Sequence, residues 1–333
     1  MTDEVSAIPG LQRRAMEIIY IRKWNQLFDE LDNDDKRSRL LENTGPLARA
    51  WQRVFPTQPS LTLDDQTTAY ALRRQLISNF DEAVSANGIC PKCSRPDHAT
   101  HHLLCVTGSA QRSRTKRHTK ANRVLAYYLR SVGGGQVFGS IATEQWVAEN
   151  RRADILVTVP GAPRKNLDVG ITAMKPAEGP VNWPTDEEIK THFEATHPHH
   201  DDDDDDDTNN HSNKLPAHPE VALGLTKLAL FKKASVDKFI EQMTNQKKHH
   251  YGLIPLTPFI MSAGGCLGKE AEEFLQNCYD AIRNSPYQYD LPEFRRGITF
   301  RLAAVLLCFS AAAARSHAMS AMRSLEANMP QDE

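Results

Sequence analysis

Arg152-Ala153-Asp154-Ile155-Leu156-Val157-Thr158-Val159-Pro160-Gly161-Ala162-Pro163 runs directly into Arg164-Lys165-Asn166-Leu167-Asp168-Val169-Gly170-Ile171. Ile155–Val159 and Leu167–Ile171 are short apolar runs, and Pro160-Gly161-Ala162-Pro163 between them is a turn signal. The expectation is a β-hairpin turning at Gly161. Asp154 and Asp168 are equidistant from that turn, so they face each other across the strands, with Cβ atoms about 5 Å apart. Two carboxylates so placed destabilise a sheet unless a cation bridges them. Oxygen ligands with room for water suit Mg²⁺, an ion that activates water and stabilises charge on phosphate. The plain alternative is two solvated aspartates at strand ends. Glu144 is a candidate third carboxylate, although taken alone it reads as a surface residue.

Outward from the hairpin, the pattern becomes helical. Residues 175–218 are rich in Pro, His, Asp and Asn and include the run Asp201–Asp207; they are expected to form a disordered acidic insert. Leu223–Gln246 reads as a lysine-studded helix, Leu253–Ser262 as a strand, and Lys269–Arg283 and Phe294–Met322 as helices. On the N-terminal side, residues 11–30 carry Leu11, Met16, Ile19, Trp24, Leu27 and Phe28 at helical spacing. Residues 35–53 are helical with a break at Gly45-Pro46. Thr62-Leu63-Asp64-Asp65 opens a further helix over 66–83. Helices, a hairpin, a helix, a strand and helices in that order indicate an α/β core.

Between these parts lies Cys90-Pro91-Lys92-Cys93, followed by His98, His101, His102 and Cys105. Zinc takes four N or S ligands in a tetrahedron, and a CxxC turn supplies two thiolates from one side. His101 and Cys105 are four apart and share a helix face. The expected structural zinc site is therefore Cys90, Cys93, His101 and Cys105, with His102 or His98 as substitutes for His101. A redox CxxC would need a βαβ context that is not evident here.

The stretch Val106–Thr143 contains no acidic residue. Its Arg112, Arg114, Lys116, Arg117, His118, Lys120 and Arg123, with Tyr127 and Tyr128 nearby, read as a surface for the phosphates of DNA or RNA. A solvated helix face is the ordinary alternative.

Composition bounds the rest. The 333 residues carry 40 basic and 42 acidic side chains; setting aside the seven-aspartate run leaves 35 acidic residues and a mildly basic remainder. Residues 1–23 show no charged-then-apolar signal layout, so an intracellular, reducing compartment is expected. The six cysteines are then not a disulfide framework, and Cys266, Cys278 and Cys308 read as buried apolar residues. The longest apolar run, Leu302–Ala314, is too short to cross a bilayer and reads as a buried helix, so no membrane partner is expected. Oligomeric state leaves no signal in the sequence.

Taken in order, these motifs resemble a known family. Gly45-Pro46-Leu47-Ala48-Arg49-Ala50-Trp51, then Pro56, Leu63 and Ala71-Leu72-Arg73, resemble the segment that follows the polymerase domain in retrotransposon-like reverse-transcriptase polyproteins. The Cys/His group resembles that family's zinc knuckle, and Arg117-His118 its Arg-His step opening a helix. Glu144, Arg152–Val157 and Leu167-Asp168-Val169 resemble its restriction-like endonuclease signature. Thr257–Ser262, Gly265 and Leu267–Ala271 resemble its downstream block.

The resemblance covers roughly residues 45–320. It implies a restriction-endonuclease-like, PD-(D/E)xK-type core, a mixed sheet flanked by helices, and Mg²⁺-dependent cleavage of DNA in the nucleus. Residues 1–85 would be a helical region, 86–110 the knuckle, 111–323 the nuclease domain and 324–333 a tail. Asp154 and Asp168 would hold the metal, Glu144 would support them, and Lys232 or Lys233 would balance phosphate charge. The sequence departs from that pattern at Gly170, where the motif carries a cation. It also departs at Phe239, which follows Lys238 where the family often has tyrosine. A nucleic-acid-binding remnant without turnover is the second expectation.

Overall fold

The structure is a computed structural model that describes residues 11–52, 62–76, 89–96, 101–105, 107–133, 137–149, 151–158, 164–173, 181–197, 218–285 and 291–327. The expected turn at Gly161, His98 and the Asp201–Asp207 run lie outside the described residues. Two compact units divide the chain: Met1–Arg37 with Ala177–Ser235, and Ser38–Pro176 with Val236–Glu333.

The larger unit is built on one four-stranded mixed sheet, β1 (Ser140–Ala148), β2 (Arg151–Thr158), β3 (Lys165–Thr172) and β4 (Thr257–Ser262), in that spatial order. The first three strands are antiparallel, and β4 runs parallel to β3. A parallel neighbour needs a crossover connection, so α/β organisation follows from the pairing itself.

The sheet's alternation sets its two faces. Ile155, Val157, Leu167, Val169, Phe259 and Met261 point into the main core and are almost wholly buried. There they meet α5 (Gly108–Gly133) through Ala121, Leu125 and Leu129. They also meet α9 (Lys269–Arg283) through Phe274 and Cys278, and α10 (Leu291–Ala327) through Ile298, Leu302 and Leu306. Each such side chain contributes about 1.5–3 kcal/mol of burial. Asp154, Asp168 and Gly170 alternate onto the other face, where α8 (Lys238–Tyr251) packs along β3 and β4.

The long stretch Phe294–Ser320 of α10 is long and apolar enough, at mean hydropathy 1.8, to cross a membrane. Half of that window is buried within the protein, and its inward residues belong to the core cluster.

Around this core, α2 (Asp34–Glu42) ends in a buried ion pair: Glu42 meets Arg74 of α3 (Asp65–Gln75) at 2.6 Å, with both side chains nearly sealed from water. The chain then turns at Gly45. Leu47 N–H donates to the Gly265 carbonyl at 3.0 Å, which holds this turn against the loop after β4. Gly265 has φ +99, and a Cβ there would stand 2.4 Å from Ala48 N.

The smaller unit contains α1 (Leu11–Glu30), α6 (Asp186–Thr196) and α7 (Pro219–Lys232). Phe28, Trp183 and Phe231 form an aromatic nest, and the Asp34 carboxylate accepts from Trp183 Nε1 and from Val181 N–H.

Two expectations need correction. Residues 186–196, placed within the disordered insert, are helical. Thr185 and Glu188 form a reciprocal capping box that satisfies the first-turn donors. Strand β1 was not expected, because Glu144 and Gln145 interrupt its alternation, and Glu144 adopts φ +57.

Gly265→Ala combines a disfavoured backbone angle with a clash against backbone, and is expected to cost about 2–4 kcal/mol in chemical denaturation. A loss below roughly 0.5 kcal/mol would show that the loop is not held as described.

Candidate functional site

The β2–β3 ladder pairs Val157 with Lys165, Leu156 with Asn166 and Ile155 with Leu167. One step further along this register would pair Asp154 with Asp168, and the ladder stops there. The strands open into a fork, and side chains take over the backbone bonding. Asp154 Oδ2 accepts from Val169 N–H at 2.8 Å, and His118 Nε2 donates to the Val169 carbonyl at 2.9 Å. The same nitrogen lies 3.1 Å from Asp154 Oδ2. Lys247 Nζ donates to Asp168 Oδ1 at 2.8 Å.

Ligand atoms of His118, Asp154 and Asp168 lie within 4.8 Å of one another, close enough to surround one ion. His118 Nε2 is committed as a donor and has no lone pair to offer from that atom. The two carboxylates are therefore the groups able to face an ion there, and His118 braces Asp154.

Burial, charge and hydrogen bonding pull the pair apart electrically. Burial pushes Asp168 up to about 6, against the lowering charge of Lys247, and neighbouring Asp154 adds to the rise. Burial would raise Asp154 as well, but the His118 hydrogen bond and charge keep it below the usual carboxylate range. His118 is raised in turn, chiefly by its bond to Asp154.

Lys247 was missed in the sequence. Lys232 and Lys233, proposed there as the cation, sit at the end of α7 and the turn after it, outside this cluster. The legible signal was α8's inward stripe: Ile240, Thr244 and Tyr251 are buried at spacings that include position 247. A lysine on that stripe faces the sheet. A Cβ at Gly170 would clash with Ile260 Cδ1 at 2.6 Å, whereas Lys247 Cε, at 3.8 Å, stands at ordinary contact distance. The ammonium beside Asp168 thus comes from the neighbouring helix. Tyr251, one turn further along, donates to the Arg152 carbonyl at 2.6 Å and ties α8 to β2.

Glu144 does not join the acids. The left-handed turn at this residue carries its carboxylate to Arg152, where the two form an exposed ion pair.

The basic helix divides by face. Arg112, Lys116, Lys120 and Arg123 are exposed at spacings of four, four and three, which makes one stripe. Arg114 is half-buried, and Arg117 is buried, its pKa lowered by that burial to about 10. Arg117 therefore leaves the expected nucleic-acid surface, and His118 belongs to the acidic fork.

At the Cys/His group, Cys90, Cys93, His101 and Cys105 converge with ligand atoms within 4.8 Å of each other and can hold a metal ion. Cys90 and Cys105 sulfurs are 4.0 Å apart, and Cys93 Sγ is 3.2 Å from His101 Nε2. Tetrahedral zinc at about 2.3 Å from sulfur separates its ligands by roughly 3.8 Å. Lys92 N–H points at Cys90 Sγ, and the left-handed Ser94 closes the turn by donating to the Cys90 carbonyl. The short α4 (His101–Leu104) presents His101 and, after it, Cys105. His102 faces away, 3.2 Å from Tyr70 Oη, and His101 is the histidine that joins the three cysteines.

Burial raises the Cys90 thiol to about 12, while hydrogen bonding with Thr107 offsets burial and lowers Cys105. A small volume with three thiols favours a cation that neutralises their ionised forms. The knuckle is anchored by Lys92 Nζ on Ser316 Oγ at 2.9 Å and by Leu103 packed on Ala173 and Ala263.

Comparison with family models, with curated proteins and with solved structures gives no match for this chain.

Purified full-length chain is expected to carry one zinc per molecule by atomic emission, and Cys93→Ser to reduce that content sharply. Chelation should release the ion and lower the thermal midpoint. Full stability in its absence would show that the cluster is a set of free thiols.

Proposed function

We propose that this chain is a divalent-cation-dependent endonuclease acting on DNA, with a restriction-endonuclease-like core and a structural zinc knuckle. The observation that carries the reading is the fork, where Asp154 and Asp168 meet beside Lys247. Two carboxylates held this close, one of them raised to about 6, mark a place where a hard cation replaces a shared proton. Asp154 uses Oδ2 to accept from Val169 N–H, and Asp168 uses Oδ1 to accept from Lys247. That donor set suits Mg²⁺. When bound, such an ion supplies Lewis-acid stabilisation of a phosphate and activation of water.

The chain's own groups would do the rest. Lys247, an ammonium on a flexible stem at the fork, can move from Asp168 to a non-bridging phosphate oxygen and offset charge as it develops. His118 fixes the Asp154 carboxylate and the Val169 backbone. Tyr251 holds α8, and with it Lys247, at a set distance from β2. The stripe Arg112, Lys116, Lys120 and Arg123 would lie along the phosphate backbone. The alternative of binding without turnover drew in part on Gly170, and the ion pair of Lys247 with Asp168 supports the catalytic reading instead.

Supercoiled plasmid with Mg²⁺ is the direct assay. Asp154→Asn, Asp168→Asn and Lys247→Ala are each expected to lower the nicking rate by roughly a hundredfold or more. The wild-type rate should rise with pH through about 6, as Asp168 gives up its proton. Nicking by Asp168→Asn at the wild-type rate would overturn the proposal.

Replacing Arg112, Lys116, Lys120 and Arg123 together by alanine should flatten the plot of log affinity for duplex DNA against log salt by about 0.9 per lost contact. Arg117→Ala should instead lower stability. An unchanged slope in the fourfold variant would remove α5 from the interface.

A further inference from the structure

The sheet's open edge carries a feature that neither the acids nor the basic helix uses. Trp146 lies on β1, the edge strand, and is 65% exposed, the only exposed one of the chain's four tryptophans. Its cross-strand partner is Arg152, whose guanidinium lies over the indole at 5.9 Å from the ring centroid. The next residue on the same face of β2 is Asp154, two positions along, about 7 Å further along the strand from the partner of the indole. Arg151 follows β1's irregular register and pairs with His250 at 3.1 Å.

An indole ring left in water at a sheet edge has apolar area to bury, and here a guanidinium, that of Arg152, lies over it. A flat aromatic face beside positive charge is what an unpaired base and its phosphate require. A base inside a duplex has both faces covered by its neighbours and offers only edges and backbone. The Arg152 guanidinium is paired with Glu144 in an exposed ion pair. A phosphate can compete for that guanidinium with bidentate geometry.

We propose that Trp146, with Arg152 beside it, is a stacking platform for one unpaired nucleotide of single-stranded DNA next to the Asp154–Asp168 fork. The inference deepens the nuclease reading, on which it relies for the nature of the strand, and it makes the preferred substrate a flap, bubble or strand end.

The zinc-loaded full chain, without added Mg²⁺, is titrated with an oligothymidylate and with a blunt hairpin duplex of equal length, following tryptophan emission. The single strand is expected to quench emission and the duplex to leave it nearly unchanged. Trp146→Leu should abolish the quench and weaken single-strand affinity, measured by anisotropy of a labelled oligonucleotide, roughly tenfold. Trp146→Tyr should restore most of the affinity, which a change in folding alone would not allow. Equal affinity of wild type and Trp146→Leu, or equal quenching by duplex, would overturn the platform. Plasmid nicking that fails while the quench persists would overturn the nuclease reading and leave the platform standing. Nicking that persists with Trp146→Leu binding single strands normally would do the reverse.

Discussion

Two carboxylates in a buried corner repel each other unless positive charge or a proton stands with them, and the fork between β2 and β3 is organised around that constraint. Asp154 replaces a missing ladder bond by accepting from Val169 N–H, which fixes its position through the backbone. Asp168 is held by Lys247 instead. The pair is therefore split: Asp154 is held below the usual carboxylate range while Asp168 is raised to about 6. Such a division is unfavourable for a purely structural corner, where an apolar pair would pack with less electrostatic cost. Its persistence here is the physical reason to look for a ligand.

The same corner explains choices in surrounding elements. A side chain at Gly170 would meet Ile260 Cδ1 of the neighbouring strand at 2.6 Å. The last turn of α8 is tied to β2 by Tyr251, one turn beyond the lysine that meets Asp168.

The hairpin and its two aspartates were legible because side-chain period and turn chemistry fix a register from sequence alone. The tetrad Cys90, Cys93, His101 and Cys105 was legible because ligand spacing is local. Lys247 was not, because the residue that completes a site across a long crossover is set by helix packing rather than by distance along the chain. Its one local trace, a lysine on the stripe of Ile240, Thr244 and Tyr251, becomes visible only once β4 is known to lie beneath that stripe. Arg117 misled for the opposite reason. Its neighbours in sequence are exposed bases, yet helical rotation turns it inward beside Tyr70 and Arg74. Glu144 misled because a left-handed backbone turn reverses the side expected from alternation.

The knuckle's position gives it a mechanical part in the fork. Cys105 is the last member of the metal-competent cluster, and α5 begins at Gly108, only three residues later. A helix advances about 1.5 Å per residue, so His118 stands roughly 15 Å along a rigid rod from that start. Leu103 seats the knuckle on Ala173 and Ala263, just past the ends of β3 and β4. Metal at the knuckle would thus fix the start of the helix whose side chain braces Asp154 and Val169. Loss of that metal would reach the acids through helix position, without any direct contact between the two centres. This makes the thiolate site a determinant of geometry at the fork as well as of local folding, and places the two metal-competent clusters of the described residues in one connected frame.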